Sequence, residues 1–325
     1  MVGTQFSRGL GAWLGQLCGD ALGSQVEFET AQVLARAYPQ GLRTMGMGAA
    51  WHTIPGQVTD DSEMALELAY SLIETDGHYD VEAAARHYVR WFQSGPFDAG
   101  TTVSQALGGL GEVAAADGAA RQASWERQAN GALRRQSPLG ISGARAGVDV
   151  ALQAAYRDTV LTHPHPVCVA ASQIYVGAIA CAVSRGPDPQ AVYGEALRLA
   201  ECVAAPDAVR DALREANAFA PPLSPHQGHV ILAFHNAFYQ LLHCDGVEDA
   251  IVASVMLGGD TDTNAAIAGS LAGAVFGEAC IPAAWRAAID VCHPDAASPR
   301  PRPQRYWPES YQCVVQKLLH AGRHT

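Results

Sequence analysis

Short runs of small, helix-favouring residues recur along the whole chain, and this pattern restricts the fold more than any other feature. Residues 81–85 and 265–268, each mostly alanine, are typical. Alanine favours helices, whereas segments that alternate apolar and polar side chains, as half-buried strands do, are scarce. Since 49% of the residues are hydrophobic and only 16% are charged, the helices can share a large core. The sequence therefore predicts an all-α protein.

Apolar side chains at helical spacing predict where the main helices lie. One helix is expected over residues 8–23, a second begins at Thr59, and a third begins near Thr101. Residues 130–143 contain three glycines and one proline, so we predict a long functional loop or a broken helix there. Further helices are predicted over residues 148–156, 167–183, 189–217, 230–243 and 247–257.

The composition also restricts the partners and the location. A formal net charge of −11 argues against a nucleic-acid partner, because binding to the phosphate backbone needs clustered basic side chains. The apolar stretch over residues 10–22 is interrupted by Gln16, Gly19 and Asp20, which disfavours a signal peptide or a transmembrane span. We therefore expect a cytoplasmic protein with no membrane partner.

The segment 298–308 contains four prolines and three arginines. Proline lacks a backbone donor, so this composition disfavours regular structure. We predict a C-terminal strap that wraps the surface, with Tyr306 and Trp307 as its anchors.

The motif Gly258-Gly259-Asp260-Thr261-Asp262-Thr263 precedes an alanine-rich helix. Asp260 and Asp262 at a tight turn, with Thr263 beside them, can place two carboxylates and a hydroxyl around one hard cation, and the glycines permit the turn. The alternative is that Asp262 or Thr263 simply caps the helix.

A second acidic motif, Thr59-Asp60-Asp61, also stands at a predicted helix start. If the two motifs meet in space, their four carboxylates raise one another's pKa unless a cation neutralises them. Ligands that are all oxygen favour Mg²⁺, Mn²⁺ or Ca²⁺ over zinc. Six oxygen-bearing side chains exceed what one small octahedral ion takes beside water and substrate, so two divalent cations are predicted.

Five segments of the chain follow one another in a recognisable order. They are Gly19-Asp20-Ala21-Leu22-Gly23, Thr59-Asp60-Asp61-Ser62-Glu63-Met64, Asn130-Gly131-Ala132-Leu133, Thr162-His163-Pro164-His165-Pro166 and Gly258 to Thr263. The same order occurs in the ADP-ribosylglycohydrolase family, and the chain resembles that family on these motifs. The resemblance implies one compact all-α domain over residues 1–325, with a binuclear Mg²⁺ or Mn²⁺ site in a cleft. The implied metal ligands are Thr59, Asp60, Asp61, Asp260, Asp262 and Thr263.

The resemblance also implies substrate-binding residues. Asp98 corresponds to the position that holds the guanidinium group in arginine-directed members, and Gly100 lies beside it in the substrate site. A carboxylate matches the donor fork of a guanidinium in two parallel hydrogen bonds. Alternatively, Asp98 caps the helix that begins near Thr101.

The resemblance also implies roles for two further residues. Glu27 corresponds to a glutamate near the metal cleft that shields the site or acts as a base, and a surface glutamate is its alternative. His163 corresponds to a histidine near the bound ADP-ribose, and a core histidine is its alternative.

The remaining implied contacts concern the diphosphate. Asn130, Gly131 and Ala132 are expected to offer backbone N–H groups to it. Arg134 stands where many relatives carry Met, and it either adds a cation near the phosphates or alters the pocket.

The predicted reaction is cleavage of an N-glycosidic bond between ADP-ribose and an arginine of a modified protein, by a monomeric enzyme. Asp60 or Asp61 is expected to orient or deprotonate the attacking water, with Glu27 as a further candidate base and Asp98 positioning the leaving guanidinium. The alternatives are an O-linked ADP-ribosyl serine or a small ADP-ribose conjugate as substrate, a non-catalytic ADP-ribose binder or structural relative, and a two-metal phosphohydrolase.

Overall fold

The computed structural model describes residues 2–186, 188–222 and 228–320, and within them it contains sixteen α-helices and no strand. The all-α prediction is confirmed. The predicted single domain also includes residues 1, 187, 223–227 and 321–325, which lie outside the described residues. The helices are α1 (Val2–Gly23), α2 (Ala31–Ala37), α3 (Asp60–Glu74), α4 (Val81–Gln93), α5 (Thr101–Leu107), α6 (Ala115–Gln122), α7 (Ser137–Ala146), α8 (Val148–Val160), α9 (Pro166–Arg185), α10 (Pro189–Cys202), α11 (Asp207–Glu215), α12 (Val230–His243), α13 (Val247–Val255), α14 (Thr261–Phe276), α15 (Ala283–Asp290) and α16 (Tyr311–His320).

Helices α1 and α14 pack backbone against backbone at the centre of the molecule. A Cβ atom added to Gly15 would lie 2.0 Å from the carbonyl oxygen of Gly269, and one added to Gly19 would lie 2.2 Å from that of Ala265. The antiparallel pair therefore tolerates no side chain at these positions. As a result, the C-terminal end of α1, with Asp20, lies against the N-terminal end of α14, with Asp262.

Helix α9 is the apolar centre of a second layer, in which α7 and α8 pack against it. Its length and composition would let it cross a membrane, but 89% of its apolar window is buried inside the protein. It ends at Arg185 and is followed by Gly186. The predicted buried helix over residues 167–183 is confirmed as a core helix of the structure.

Two of the predicted boundaries are wrong. Helix α1 begins at Val2 rather than at residue 8. The helix predicted over residues 189–217 is two helices, because Pro206 precedes the second and cannot continue the first.

Residues 130–143 agree with the broken-helix alternative. A 3₁₀ turn, Leu133–Arg135, precedes helix α7, in which Pro138 sits in the first turn, where it is tolerated.

Four short helices, α2, α6, α15 and α16, were not predicted from the sequence. The segment 298–308 contains a 3₁₀ turn, Gln304–Tyr306, and enters another, Pro308–Ser310. Tyr306 is buried, and the Trp307 indole donates to the carbonyl of Arg302. We call residues 298–308 the strap.

Candidate functional site

The two acidic motifs, about 200 positions apart in the sequence, meet where α3 and α14 begin. The Thr263 hydroxyl donates to Asp61 Oδ1 at 3.2 Å, and the Thr59 hydroxyl donates to Asp262 Oδ2 at 3.5 Å. Asp61, Asp262 and Asp20 each place a carboxylate oxygen within 4.8 Å of the other two. The structure thus gathers the six predicted metal-ligating residues at two adjoining helix ends.

Asp20 and Thr59 cap the start of α3. The Asp20 carboxylate accepts from the backbone N–H groups of Thr59 at 2.9 Å and Ser62 at 3.0 Å, and the Thr59 side chain accepts from the N–H of Asp61. This arrangement satisfies the free donors of the first turn. The Asp60 and Asp61 side chains therefore do not serve as the helix cap.

Capping does not account for the second motif either. Asp260 occupies the N-cap position of α14 but makes no side-chain capping bond. Asp262 Oδ1 accepts from the N–H of Thr263, the residue after it, at 2.8 Å. The motif is instead shaped by Gly258, whose φ is +77° and where an added Cβ would lie 2.6 Å from the backbone nitrogen of Ala31. Only glycine fits this turn without strain.

The same turn attaches the segment after α1 to the site. The N–H of Phe28 donates to the carbonyl of Gly259 at 2.7 Å, and the N–H of Gly259 donates to the carbonyl of Glu29 at 2.8 Å. This pairing sets Glu27 on the wall of the cleft beside Asp260 and Asp262.

A cleft of about 760 Å³ opens over the acidic cluster. This volume lies within the usual range for small-molecule sites. Of the predicted residues, Glu27, Asp98, Gly100, Asn130, Asp260, Asp262 and Thr263 line it, together with Arg134, Phe28 and Trp51. Thr59, Asp60, Asp61, Gly131, Ala132 and His163 do not line it and are buried behind the lining.

Burial among like charges shifts the titration of the cleft carboxyls. Burial raises the pKa of Glu27 to about 7, although the Trp51 indole, which donates to it at 2.5 Å, acts in the opposite direction. Burial and the neighbouring Asp60 raise the pKa of Asp98 to about 8. The pKa values of Asp61 and Asp262 are also raised well above the usual range, chiefly by burial. Such a cluster favours any ligand that brings positive charge.

Asp98 does not cap α5. Gly100 occupies the N-cap position, and its N–H donates to Asp60 Oδ2 at 3.2 Å. A carboxylate oxygen of Asp98 lies within 4.8 Å of oxygens of Glu27 and Asp262. The Asp98 carboxylate is therefore part of the acidic cluster.

His163 lies one layer below the cleft. An added Cβ on Gly131 would be 3.1 Å from the His163 ring. Its Nδ1 is 2.8 Å from the Thr162 hydroxyl, and burial lowers its pKa well below the usual value, so the ring is neutral. Within the described part of the chain its Nε2 is buried without a partner.

One expectation about the cleft needs correction. The backbone N–H of Asn130 donates to the carbonyl of Gly228 at 3.0 Å, so it is not available to a diphosphate, and the Asn130 amide side chain donates to Asp260 at 2.7 Å.

Two alternatives were open for Arg134, a cation near the phosphates or an altered pocket. Its guanidinium points at Asp60 and Asp61, so the contacts favour an altered pocket in which Arg134 belongs to the carboxylate cluster.

The sequence interpretation missed two residues of the site. Asp20 was visible inside the Gly19–Gly23 motif, but its role as a cap for α3 depends on a contact that spans 39 positions. Trp51 stands in a glycine-rich loop with no periodic pattern, and nothing in the sequence directs its indole to Glu27.

Comparisons with known proteins all indicate the same family. A family model described as ADP-ribosylglycohydrolase matches residues 1–309. The ADP-ribosyl-[dinitrogen reductase] glycohydrolase of Rhodospirillum rubrum is 31% identical over 292 residues, which covers 87% of this chain and 90% of that protein. The ADP-ribosylarginine hydrolase Tri1 of Serratia proteamaculans is 29% identical over 295 residues, covering 85% of this chain and 73% of that protein.

A similar fold is also present among solved structures. A chain of an ADP-ribosylglycohydrolase-related protein complex superposes with a TM-score of 0.77 at 27% identity. The alignment covers 97% of this chain and 98% of that one. The likeness therefore extends over the whole fold, including the two helices that begin at the acidic motifs.

Proposed function

Because this chain belongs to the ADP-ribosylglycohydrolase family, we propose that it hydrolyses the N-glycosidic bond that joins ADP-ribose to arginine side chains of modified proteins. The observation that carries the proposal is the position of Asp98 in the cleft wall, beside Glu27 and Asp262. A carboxylate there can accept two parallel hydrogen bonds from a guanidinium. The names of the relatives from Rhodospirillum rubrum and Serratia proteamaculans support a protein-linked substrate and an arginine linkage.

The donor set fits a hard divalent cation, Mg²⁺ or Mn²⁺. Asp61 and Asp262 share a buried position, and the Asp61 Oδ2 atom has no hydrogen-bond partner among the described residues. Carboxylate and hydroxyl oxygens are the ligands that these ions prefer. When bound, the cation would supply Lewis acidity and orient oxygen ligands on the ribose side of the cleft.

The protein's own side chains carry out proton transfer and position the substrate. Glu27, held by Trp51, faces the cleft and accepts a proton from the attacking water. Asp60 and Asp61 lie behind the cleft lining, so they are not proposed to contact that water. Asp98 holds the arginine guanidinium so that the glycosidic carbon faces the water. The C–N bond breaks with its electron pair going to the guanidine nitrogen, and the water oxygen joins the anomeric carbon and keeps one proton as the new hydroxyl. The proton taken by Glu27 then passes to the leaving guanidine nitrogen.

Release of ADP-ribose from matched peptides tests the proposal. We expect hydrolysis of a peptide ADP-ribosylated on arginine, in the presence of Mn²⁺ or Mg²⁺, and loss of that hydrolysis in EDTA. Release from a serine-linked peptide or a small ADP-ribose conjugate, but not from the arginine peptide, would replace arginine as the substrate. Binding of ADP-ribose without release from any substrate would show a non-catalytic binder.

A variant at Asp98 tests the arginine assignment. Charge-assisted hydrogen bonds contribute about 1.5–3 kcal/mol each, so loss of the two proposed bonds in Asp98→Ala should lower kcat/KM on the arginine peptide by about 100-fold or more. Any residual activity on a serine-linked peptide should change much less. Equal losses on both peptides would remove Asp98 from the recognition of arginine.

A further inference from the structure

Arg134 contacts half of the residues predicted to hold the two cations. Its side chain is 7% exposed, one terminal nitrogen bonds to Asp60 Oδ2, and the other lies 2.6 Å from Asp61 Oδ1 and 3.5 Å from the Thr263 hydroxyl. The side chain enters from the 3₁₀ turn Leu133–Arg135, directly before α7. It therefore reaches the cluster from an element outside both acidic motifs.

A guanidinium group keeps its positive charge under all physiological conditions. A divalent cation that bridged Asp60 and Asp61 would need carboxylate oxygens at about 2.1 Å. Arg134 already holds one oxygen of each carboxylate, Asp60 Oδ2 and Asp61 Oδ1, so a cation on the other two oxygens would lie directly beside the guanidinium. The cation would also face the fixed positive charge across a few ångströms in a buried setting, where repulsion is weakly screened. Arg134 and a cation bridging these two carboxylates thus exclude each other.

The other carboxylates of the cluster differ in how far they are engaged. Asp260 Oδ2 accepts from the Asn130 side chain at 2.7 Å. Asp61 Oδ2 is buried without a hydrogen-bond partner in the described chain, and Asp61 and Asp262 both have an oxygen within the same 4.8 Å group. At the Asp60–Asp61 position both carboxylates pair with Arg134, whereas at the Asp61–Asp262 position only Asp61 does.

We propose that the Arg134 guanidinium takes the place of one of the two divalent cations, so that this cleft binds a single cation, between Asp61 and Asp262. The protein carries a built-in monovalent charge where the binuclear arrangement would place a second metal ion. The inference rests on the proposed function only in that both concern a cation bound in the same cleft.

Metal stoichiometry tests this without any substrate. The full chain, freed of metal by chelation, is dialysed against Mn²⁺, and the bound metal is counted by mass spectrometry. We expect one Mn²⁺ per chain and the six-line electron paramagnetic resonance signal of an isolated ion. Arg134→Met, which keeps an unbranched side chain but removes the charge, should bind one additional Mn²⁺ and show the broadened spectrum of two coupled ions.

Arg127→Met is the matched control, because Arg127 is an exposed residue that lines the same cleft. Its Mn²⁺ count should equal that of the wild type. Two Mn²⁺ per chain in the wild type would overturn the proposal even if Arg134→Met failed to fold, and so would equal counts in the wild type and a folded Arg134→Met. A wild type that binds one Mn²⁺ but hydrolyses no ADP-ribosyl conjugate would contradict the proposed function and leave this inference intact.

Discussion

Helix α3 carries two sets of buried carboxylates that are treated in opposite ways. Asp60 and Asp61, in its first turn, belong to the crowded cluster behind the cleft, and each keeps one buried oxygen without a partner among the described residues. Glu63 and Glu67, slightly further along, face the strap. Arg302 donates to both oxygens of Glu63 at 2.7 Å, and Arg305 donates to both oxygens of Glu67, at 2.6 and 2.7 Å.

The difference separates stability from function. A buried charge that is fully paired and hydrogen-bonded is part of the stable fold, because removal of its partner lowers the free energy of unfolding. A group of buried carboxylates in excess of their partners opposes the fold and is typical of a site awaiting a cationic ligand. One helix therefore serves as an anchor for the strap and as a wall of the site. Variants on the strap side, at the partners of Glu63 and Glu67, and on the cleft side, in the acidic cluster, should separate these roles.

The largest effect is expected on the strap side. Arg302→Met leaves the Glu63 carboxylate without its main partner. Both side chains are only 2% exposed, so water cannot replace the lost hydrogen bonds. We expect a loss of about 3–5 kcal/mol in the free energy of unfolding, measured with urea. The activity per folded molecule should fall far less than the stability.

The double variant Arg302→Met with Glu63→Gln is the control for this change. It should recover part of the lost stability, because neither member of the pair is then left charged and alone. Stability equal to the wild type in the single variant would contradict the anchoring role.

On the cleft side the effect should be on rate. Asp262→Asn removes a proposed cation ligand at nearly constant shape, so ADP-ribose release should fall about 100-fold. Unfolding in EDTA should show unchanged or increased stability, because one of the crowded charges has gone. Asp249→Asn, at an exposed carboxylate paired with Arg43, should alter neither quantity appreciably. A large loss of stability in Asp262→Asn would place that residue with the structural set.

The smallest effect concerns pH. Burial acts to raise the pKa of Glu67, but donation from Arg305 and His87 outweighs it, and the pKa lies below its ordinary value of 4.5. A lowered carboxyl pKa contributes stability above pH 4.5, and this contribution is lost as the pH falls through the folded pKa. Arg305→Met should cost about 1 kcal/mol at neutral pH, because Arg305 is partly exposed and His87 remains.

The pH series sharpens the comparison between the two sets. The stability difference between the wild type and Arg305→Met should shrink as the pH falls below about 4.5, because protonation of Glu67 removes from the wild type the ion pair that the variant already lacks. Unfolding curves between pH 3 and pH 7 measure this difference. A gap that stays constant over the series would mean that Arg305 stabilises the protein by packing alone.

The sequence predicted features that depend on neighbouring residues. The spacing of alanine and leucine indicated the long helices, and the two acidic motifs were recognisable because each is contiguous. Contacts between distant residues were not predictable in this way. Arg134 reaches Asp60 across 74 positions, and Arg302 reaches Glu63 across 239. Pro138 left the segment open between a loop and a broken helix, because the same residue type breaks a helix internally and begins one at its first turn.

The close packing of α1 against α14 has a consequence during synthesis. Thr261 donates to the carbonyl of Gly23, 238 positions earlier in the chain. The glycine-lined face of α1 is therefore covered only after α14, near the end of the chain, has been synthesised. On the ribosome that face stays exposed while most of the polypeptide emerges, so we expect early intermediates to be prone to association. A nascent chain released before α14 leaves the exit tunnel would contain Asp20, Asp60 and Asp61 but could not assemble the cleft.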